Sequence, residues 1–170
     1  TVASAVLDGA ALHDASITVA ELKRLLNAGQ VQVANLDSSL QHREGHIPGA
    51  WHVVRSRLKG QLPKIPATPL LVFSAAEEPL ARLAAADATR LTAPPVQVLA
   101  GGTAAWRAAG FPLETGDTRM TGEPDDLSYR ALDRKDKVEE AMREYLKWEV
   151  ELLDAVASDT DFGFRRFPRK

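Results

Sequence analysis

The sequence predicts an α/β fold with a mainly parallel central sheet, and three observations carry that expectation. Helical and extended patterns alternate along the chain, as they do when strands are joined by crossover helices. Leu70 to Phe73 form a short continuous apolar run, the pattern of a strand buried on both faces. Pro79 then opens an amphipathic helix, with Leu80, Leu83, Ala84, Ala88 and Leu91 on one face and Arg82, Asp87 and Arg90 on another. Between strand and helix lies a loop, Ser74, Ala75, Ala76, Glu77 and Glu78. A strand end that faces a helix N-terminus is where open α/β sheets collect their chemistry, because unpaired backbone N–H groups point there. This loop is therefore the first place to look for function.

In chain order, residues 1–16 are Ala-rich and weakly patterned and read as an N-terminal arm or linker. Thr18 followed by Glu21 is a capping-box spacing, and Val19, Leu22, Leu25 and Leu26 supply a buried stripe. Gly29 closes that helix. Val31, Val33 and Leu36 alternate as a strand does. Gly45, His46, Ile47, Pro48, Gly49 and Ala50 then demand a tight, shaped turn before extended structure resumes over Ala50 to Val54. Val96 to Ala100 is a further strand. Gly101 and Gly102 let the backbone turn sharply after it, Trp106 anchors a short helix in the core, and Gly110 caps that helix.

The totals bound the function. The chain has 170 residues, enough for one domain with a real core plus an appendage. A formal net charge of −2 gives no nucleic-acid footprint. No apolar run approaches the roughly 20 residues of a membrane span, and the first residues lack the basic and apolar regions of a signal peptide. A cytoplasmic protein is the expectation. The sequence begins at Thr1, so the chain was processed or is a piece of something longer. With no cysteine at all, disulfides, thiolate catalysis and Cys-ligated metals are excluded.

Two of these segments, taken together, resemble a known family. GHIPGA at Gly45–Ala50 is similar to the signature turn of rhodanese-like domains, and Gly101-Gly102-Thr103-Ala104-Ala105-Trp106, running on to Gly110-Phe111-Pro112, resembles their closing segment. The resemblance covers about residues 17–116. It implies a central parallel sheet with helices on both faces, here followed by a linker over 117–132 and a C-terminal helix with a basic tail over 133–170. Active members of the family move sulfur through a cysteine persulfide on a loop commonly written Cys-x-x-Gly-x-Arg, after an upstream strand ending in Asp-x-Arg. That chemistry needs a thiolate of lowered pKa and positive groups to hold an anionic sulfur donor. Laid on this chain without gaps, the pattern places Ser74 at the cysteine, Glu77 at the glycine and Pro79 at the arginine. Upstream, Asn35 and Asp37 stand at the Asp and Arg positions. The scaffold matches and the chemistry does not.

Other readings of the same residues carry less. Ser74 as an engineered replacement for cysteine explains one change among several. Ser74 as a nucleophile lacks a Gly-x-Ser-x-Gly elbow. The expected role is structural, a hydroxyl bonded to N–H groups of its own loop. Glu77 and Glu78 are expected to fill the electropositive cradle at the helix N-terminus. His42 and His46 have an i, i+4 spacing, but the turn at Gly45–Ala50 interrupts any helix that could aim both at a metal. His46 is expected to be a structural hydrogen-bonding group, and neither metal nor cofactor is expected. From Asp133 a long helix is expected over about 134–157, with Val138, Tyr145 and Leu152 recurring every seventh residue and Trp148 between them. About two and a half heptads fall short of a coiled coil. The stripe is expected to pack on the domain itself, with other rhodanese-like domains or a second copy of the chain as alternative partners. The tail FGFRRFPRK is expected to be solvated rather than a nucleic-acid patch, and a membrane is not expected as a partner. The expected function is that of a non-catalytic module, structural, regulatory or protein-binding. The alternative is a segment of a larger thiosulfate or related sulfurtransferase whose cysteine lies in another domain.

Overall fold

A computed structural model describes residues 15–127 and 137–158. They fall into two compact units that divide after Leu127.

The first unit is built on five parallel strands. These are β1 (Ser16–Ile17), β2 (Gln32–Asn35), β3 (Trp51–His52), β4 (Leu71–Ser74) and β5 (Val96–Leu99), in the spatial order β1-β5-β4-β2-β3. β4 lies at the centre, with Phe73 in register with Ala34 of β2 and Val98 of β5. Its four residues are all buried, which explains the continuous apolar run. Because side chains alternate along a strand, Leu71 and Phe73 join one core cluster while Val72 joins the other.

Each cluster is closed by helices. The side facing Phe73 is covered by α3 (Leu58–Gln61), through Leu58, and by α4 (Glu78–Ala88). α4 buries Ala81, Ala84, Ala85 and Ala88. Small side chains bring its axis close to the sheet. The sequence places Leu83 and Leu91 on this face, but Leu83 is only partly buried and Leu91 lies beyond the helix end, 44% exposed. The opposite side is covered by α1 (Val19–Asn27), through Leu22, and by α5 (Gly102–Ala108), through Trp106. Thr18 caps α1 through its side chain, which accepts the Glu21 N–H at 3.3 Å. The expected sheet with helices on both faces is therefore present.

Besides β1 and α3, one further helix went unread in the sequence. α2 (Ser39–Glu44) is opened by a reciprocal capping box between Ser38 and Gln41. It carries His42 and ends before His46. After α5, the polar segment 113–127 runs along the body as a strap. Glu114 and His46 exchange backbone hydrogen bonds of 2.9 Å, and His52 N–H donates to Arg119 O at 3.0 Å.

In the second unit the described residues form one long helix, α6 (Val138–Ser158). Ala141 is buried, whereas Tyr145, Trp148 and Leu152 are 47%, 55% and 41% exposed. The expected cap Asp133 and the tail FGFRRFPRK lie outside the described residues. Among the described residues, no helix is long and apolar enough to cross a membrane.

Candidate functional site

The carboxyl ends of β2 and β4 and the start of α5 converge on the loop after Ser74. β4 and β2 are paired in parallel, so Asn35 and Ser74 are register partners and the chain leaves both strands at the same level. Leu36 N–H donates to Ser74 O at 2.8 Å, tying the two exits together. Gly101 and Gly102, both with positive φ, then carry the chain from β5 into α5 beneath the loop. A Cβ on Gly102 would stand 1.9 Å from the Ala75 carbonyl oxygen. Only glycine permits that approach.

A buried polar network fills the junction. Thr103 donates its hydroxyl to Asp37 Oδ2 at 3.2 Å, so Ser74 Oγ, 2.9 Å from Thr103 Oγ1, is the donor in that pair. Asn35 Nδ2 donates to Asp37 Oδ2 at 2.9 Å, and Ala76 N–H donates to Asp37 Oδ1. Ser74 is fully buried. Its hydroxyl therefore bonds to Thr103 rather than to the N–H groups of its own loop, as the sequence suggested. Asp37 takes that role instead, because the parallel pairing of β2 with β4 delivers its carboxylate there.

The acidic residues at the α4 N-terminus are placed differently from one another. Glu78 Oε2 accepts the Gly101 N–H at 2.9 Å, and Oε1 accepts from Arg82 Nε and Nη2 at 2.9 and 2.6 Å. The Gly101 N–H and the Arg82 guanidinium hold its carboxyl below the usual carboxylate range. Glu77 is the exposed N-cap residue, with Pro79 just inside the helix. So Glu78 clamps the loop to the start of α5, while the Ala76 N–H in the cradle is occupied by Asp37. Beside it lies an open polar cleft of about 220 Å³, lined by Asp37, Gln41, Glu44, Ala76, Thr103 and Arg107 among others. A larger groove, about 770 Å³ and walled by Pro63, Pro66, Pro69 and Pro94, sits at the amino end of β4, away from the loop.

The turn residues build the flank of the site. Ala50 N–H donates to Ile47 O at 3.0 Å, and Gly49 has φ +83, as the third position of a type II turn requires. Gly49 N–H donates to Glu114 Oε2 at 2.8 Å. Next to this turn three imidazoles are buried together. His42 and His46 stack with centroids 3.6 Å apart, and His52 meets His42 edge-on at 5.3 Å. His46 Nδ1 donates to His42 O at 2.6 Å, and its Nε2 lies 3.0 Å from the Thr118 hydroxyl oxygen. The two ring nitrogens of His42 lie 3.0 Å from Asn35 Oδ1 and Thr118 O, both acceptors, so the neutral ring donates to one of them, and His52 donates to Asp37 O at 3.0 Å. None of the three rings is bonded to Ser74.

Burial pushes the His42 imidazole down to about 4 from an ordinary 6.5, and burial also lowers His52. The sign of the consequence is fixed. Below about pH 6.5 an unfolded chain binds protons that buried His42 refuses, so stability present above that pH is lost as the pH falls toward about 4. His42 alone contributes roughly 3 kcal/mol to that loss. Urea denaturation across this range should show the decline, and a flat profile would contradict it.

Comparison with known proteins decides the family. Residues 18–109 match the model of the rhodanese-like domain. The chain belongs to that family. None of the curated proteins matches the sequence. Among solved structures, this rhodanese-like chain is similar to a thiosulfate sulfurtransferase from Pseudomonas aeruginosa, with 33% identity and a TM-score of 0.82 over 91% of this chain. It spans only 29% of the length of that protein. It is also similar to a protein of unknown function from Rhodopseudomonas palustris, described as a possible tyrosine phosphatase. That match has 29% identity and a TM-score of 0.53, over 65% of this chain and 92% of the other. A rhodanese-related protein from Thermoplasma volcanium shares the fold, at 17% identity and a TM-score of 0.52, over 59% of this chain and 97% of its own.

Within the rhodanese-like fold, the family-motif residues are shape-determining. Ile47, Ala50 and Trp106 are buried, and Trp106 Nε1 donates to Pro112 O at 2.9 Å. Two residues central to the loop were not singled out by the sequence as its organisers. Asp37 stood out only as a departure from the family pattern. Thr103 carries no local signal, because its importance arises from β5 and β4 being neighbours.

Proposed function

We propose that this rhodanese-like domain is a non-catalytic module that supports or binds other protein units rather than transferring sulfur itself. One observation carries the reading: the Asp37 carboxylate accepts the Ala76 N–H inside the loop, so a fixed negative charge sits where an anionic sulfur donor would need a positive one. Ser74, at the position of the family's cysteine, is buried and bonded to Thr103. A hydroxyl in that setting neither forms a persulfide nor meets a base.

A second reading extends the first. The similarity to a thiosulfate sulfurtransferase over 29% of that protein's length favours a chain that belongs to a longer polypeptide with several rhodanese-like units. The persulfide cysteine would then lie in another unit, and this one would serve it structurally. A cytoplasmic location is part of the same proposal.

Ser74→Cys tests the module reading. The variant is expected to form thiocyanate from thiosulfate and cyanide no faster than the wild-type chain, because the thiol would be buried against Thr103 with the Asp37 carboxylate filling the loop. Robust turnover in a variant with an unchanged circular dichroism spectrum would overturn it.

A further inference from the structure

α6 is the one described element whose large apolar side chains stand open to water. At 21 residues it is about 30 Å long. Ala141, Tyr145, Trp148, Leu152 and Ala155 recur at alternating spacings of three and four and so share one face. Tyr145 and Trp148 are half-exposed, with ring centroids 6.0 Å apart, and the Tyr145 hydroxyl donates to Glu149. Two aromatic anchors held in place on an exposed stripe are the chemistry of an interface rather than of a solvated helix.

The charges along the stripe say what covers it. Glu144 and Glu151 border it on one side and Glu149 on the other; Lys147 stands just outside that border, paired with Glu151 at 3.7 Å, and Arg143 lies on the far face. Two copies of α6 packed stripe to stripe would bring acidic borders together, which disfavours self-pairing. The partner surface is therefore apolar at its centre and basic at its rim. The length of the sulfurtransferase relative says where such a surface would be. The match covers 91% of this chain, so it cannot pass over the whole of α6, yet most of the relative lies outside the match.

We propose that the Tyr145–Trp148–Leu152 face of α6 docks on a second folded unit of the same longer polypeptide, on an apolar patch rimmed by lysine or arginine. This rests on the reading that the chain belongs to such a polypeptide. The test places a photo-crosslinking benzoylphenylalanine at Trp148, or at Arg143 on the far face as control, in the native gene in its source cells. Crosslinked peptides are identified by mass spectrometry, and the intact product is sized by immunoblot. The expected result is a product much larger than 18.4 kDa, with crosslinks from position 148 to a basic-rimmed segment of the same polypeptide outside these residues, and their loss at position 143. A product of about the chain's own mass would sink the longer-polypeptide reading and the docking with it. A larger product whose position 148 crosslinks to α6 of a second copy, to residues 15–127, to a different protein or to nothing would overturn the docking alone.

Discussion

Replacing Gly102 with alanine is expected to destabilise the first unit by about 3 kcal/mol or more, the sum of a backbone penalty and a steric one. Gly102 has φ +57, where a side chain is strained whatever the space, and its Cβ would stand 1.9 Å from the Ala75 carbonyl oxygen. Ala75 is itself 1% exposed, in the loop that follows β4. Relief requires α5 to part from that loop, and the Ser74–Thr103 hydrogen bond lies across the same gap. Gly110 provides an internal control. It has φ +76, but a methyl group added there would meet nothing within 4 Å, so Gly110→Ala should cost only about 1 kcal/mol. The difference between the two variants in urea midpoint measures the close approach itself. Equal effects would show that the glycines serve backbone conformation alone.

Asp37→Ala is expected to cost about 3 kcal/mol or more, because one carboxylate serves three donors of the loop. Alanine leaves the Ala76 N–H, the Thr103 hydroxyl and the Asn35 amide without their acceptor, and each orphaned buried donor costs about 1–3 kcal/mol before relaxation. Asp37→Asn keeps one carbonyl acceptor and should recover part of the loss. Hydrogen exchange at Ala76 gives a local readout. It should quicken in both variants, and more in the alanine. Unchanged exchange at that amide would mean that Asp37 does not organise the loop.

Much of the scaffold was legible because its signals are local. The Thr18–Glu21 cap, the Ile47–Ala50 turn and the apolar run of β4 each depend on residues adjacent in sequence. α2 was equally local, announced by Ser38 and Gln41, but the glycines and proline that follow it drew the reading toward a turn. The buried face of α4 was read in part: Ala84 and Ala88 lie on it as expected, whereas Leu83 and Leu91 were placed there because leucines outrank alanines in hydrophobicity. The structure chose alanines, since close approach to the sheet excludes bulk at those positions. At the site, the departures from the family pattern could be read at Ser74, Glu77 and Pro79. What fills the loop could not, because Asn35, Asp37, Ser74 and Thr103 meet only through the strand order β5-β4-β2. The three histidines illustrate the same limit. The spacing of His42 and His46 suggests a question about metals, whereas their shared partner Thr118 is a product of the strap returning over the sheet.

The most direct test of the account is a titration of the wild-type chain with thiosulfate, followed through the backbone amide resonances of Ala75, Ala76, Glu77, Glu78 and Leu80. If Asp37 holds the Ala76 N–H and its charge opposes an incoming anion, those resonances should drift weakly and without saturation, as they would with sodium sulfate. A saturable shift centred on Ala76, abolished by mutating the loop, would show a working anion site and contradict the reading of this domain as a non-catalytic module.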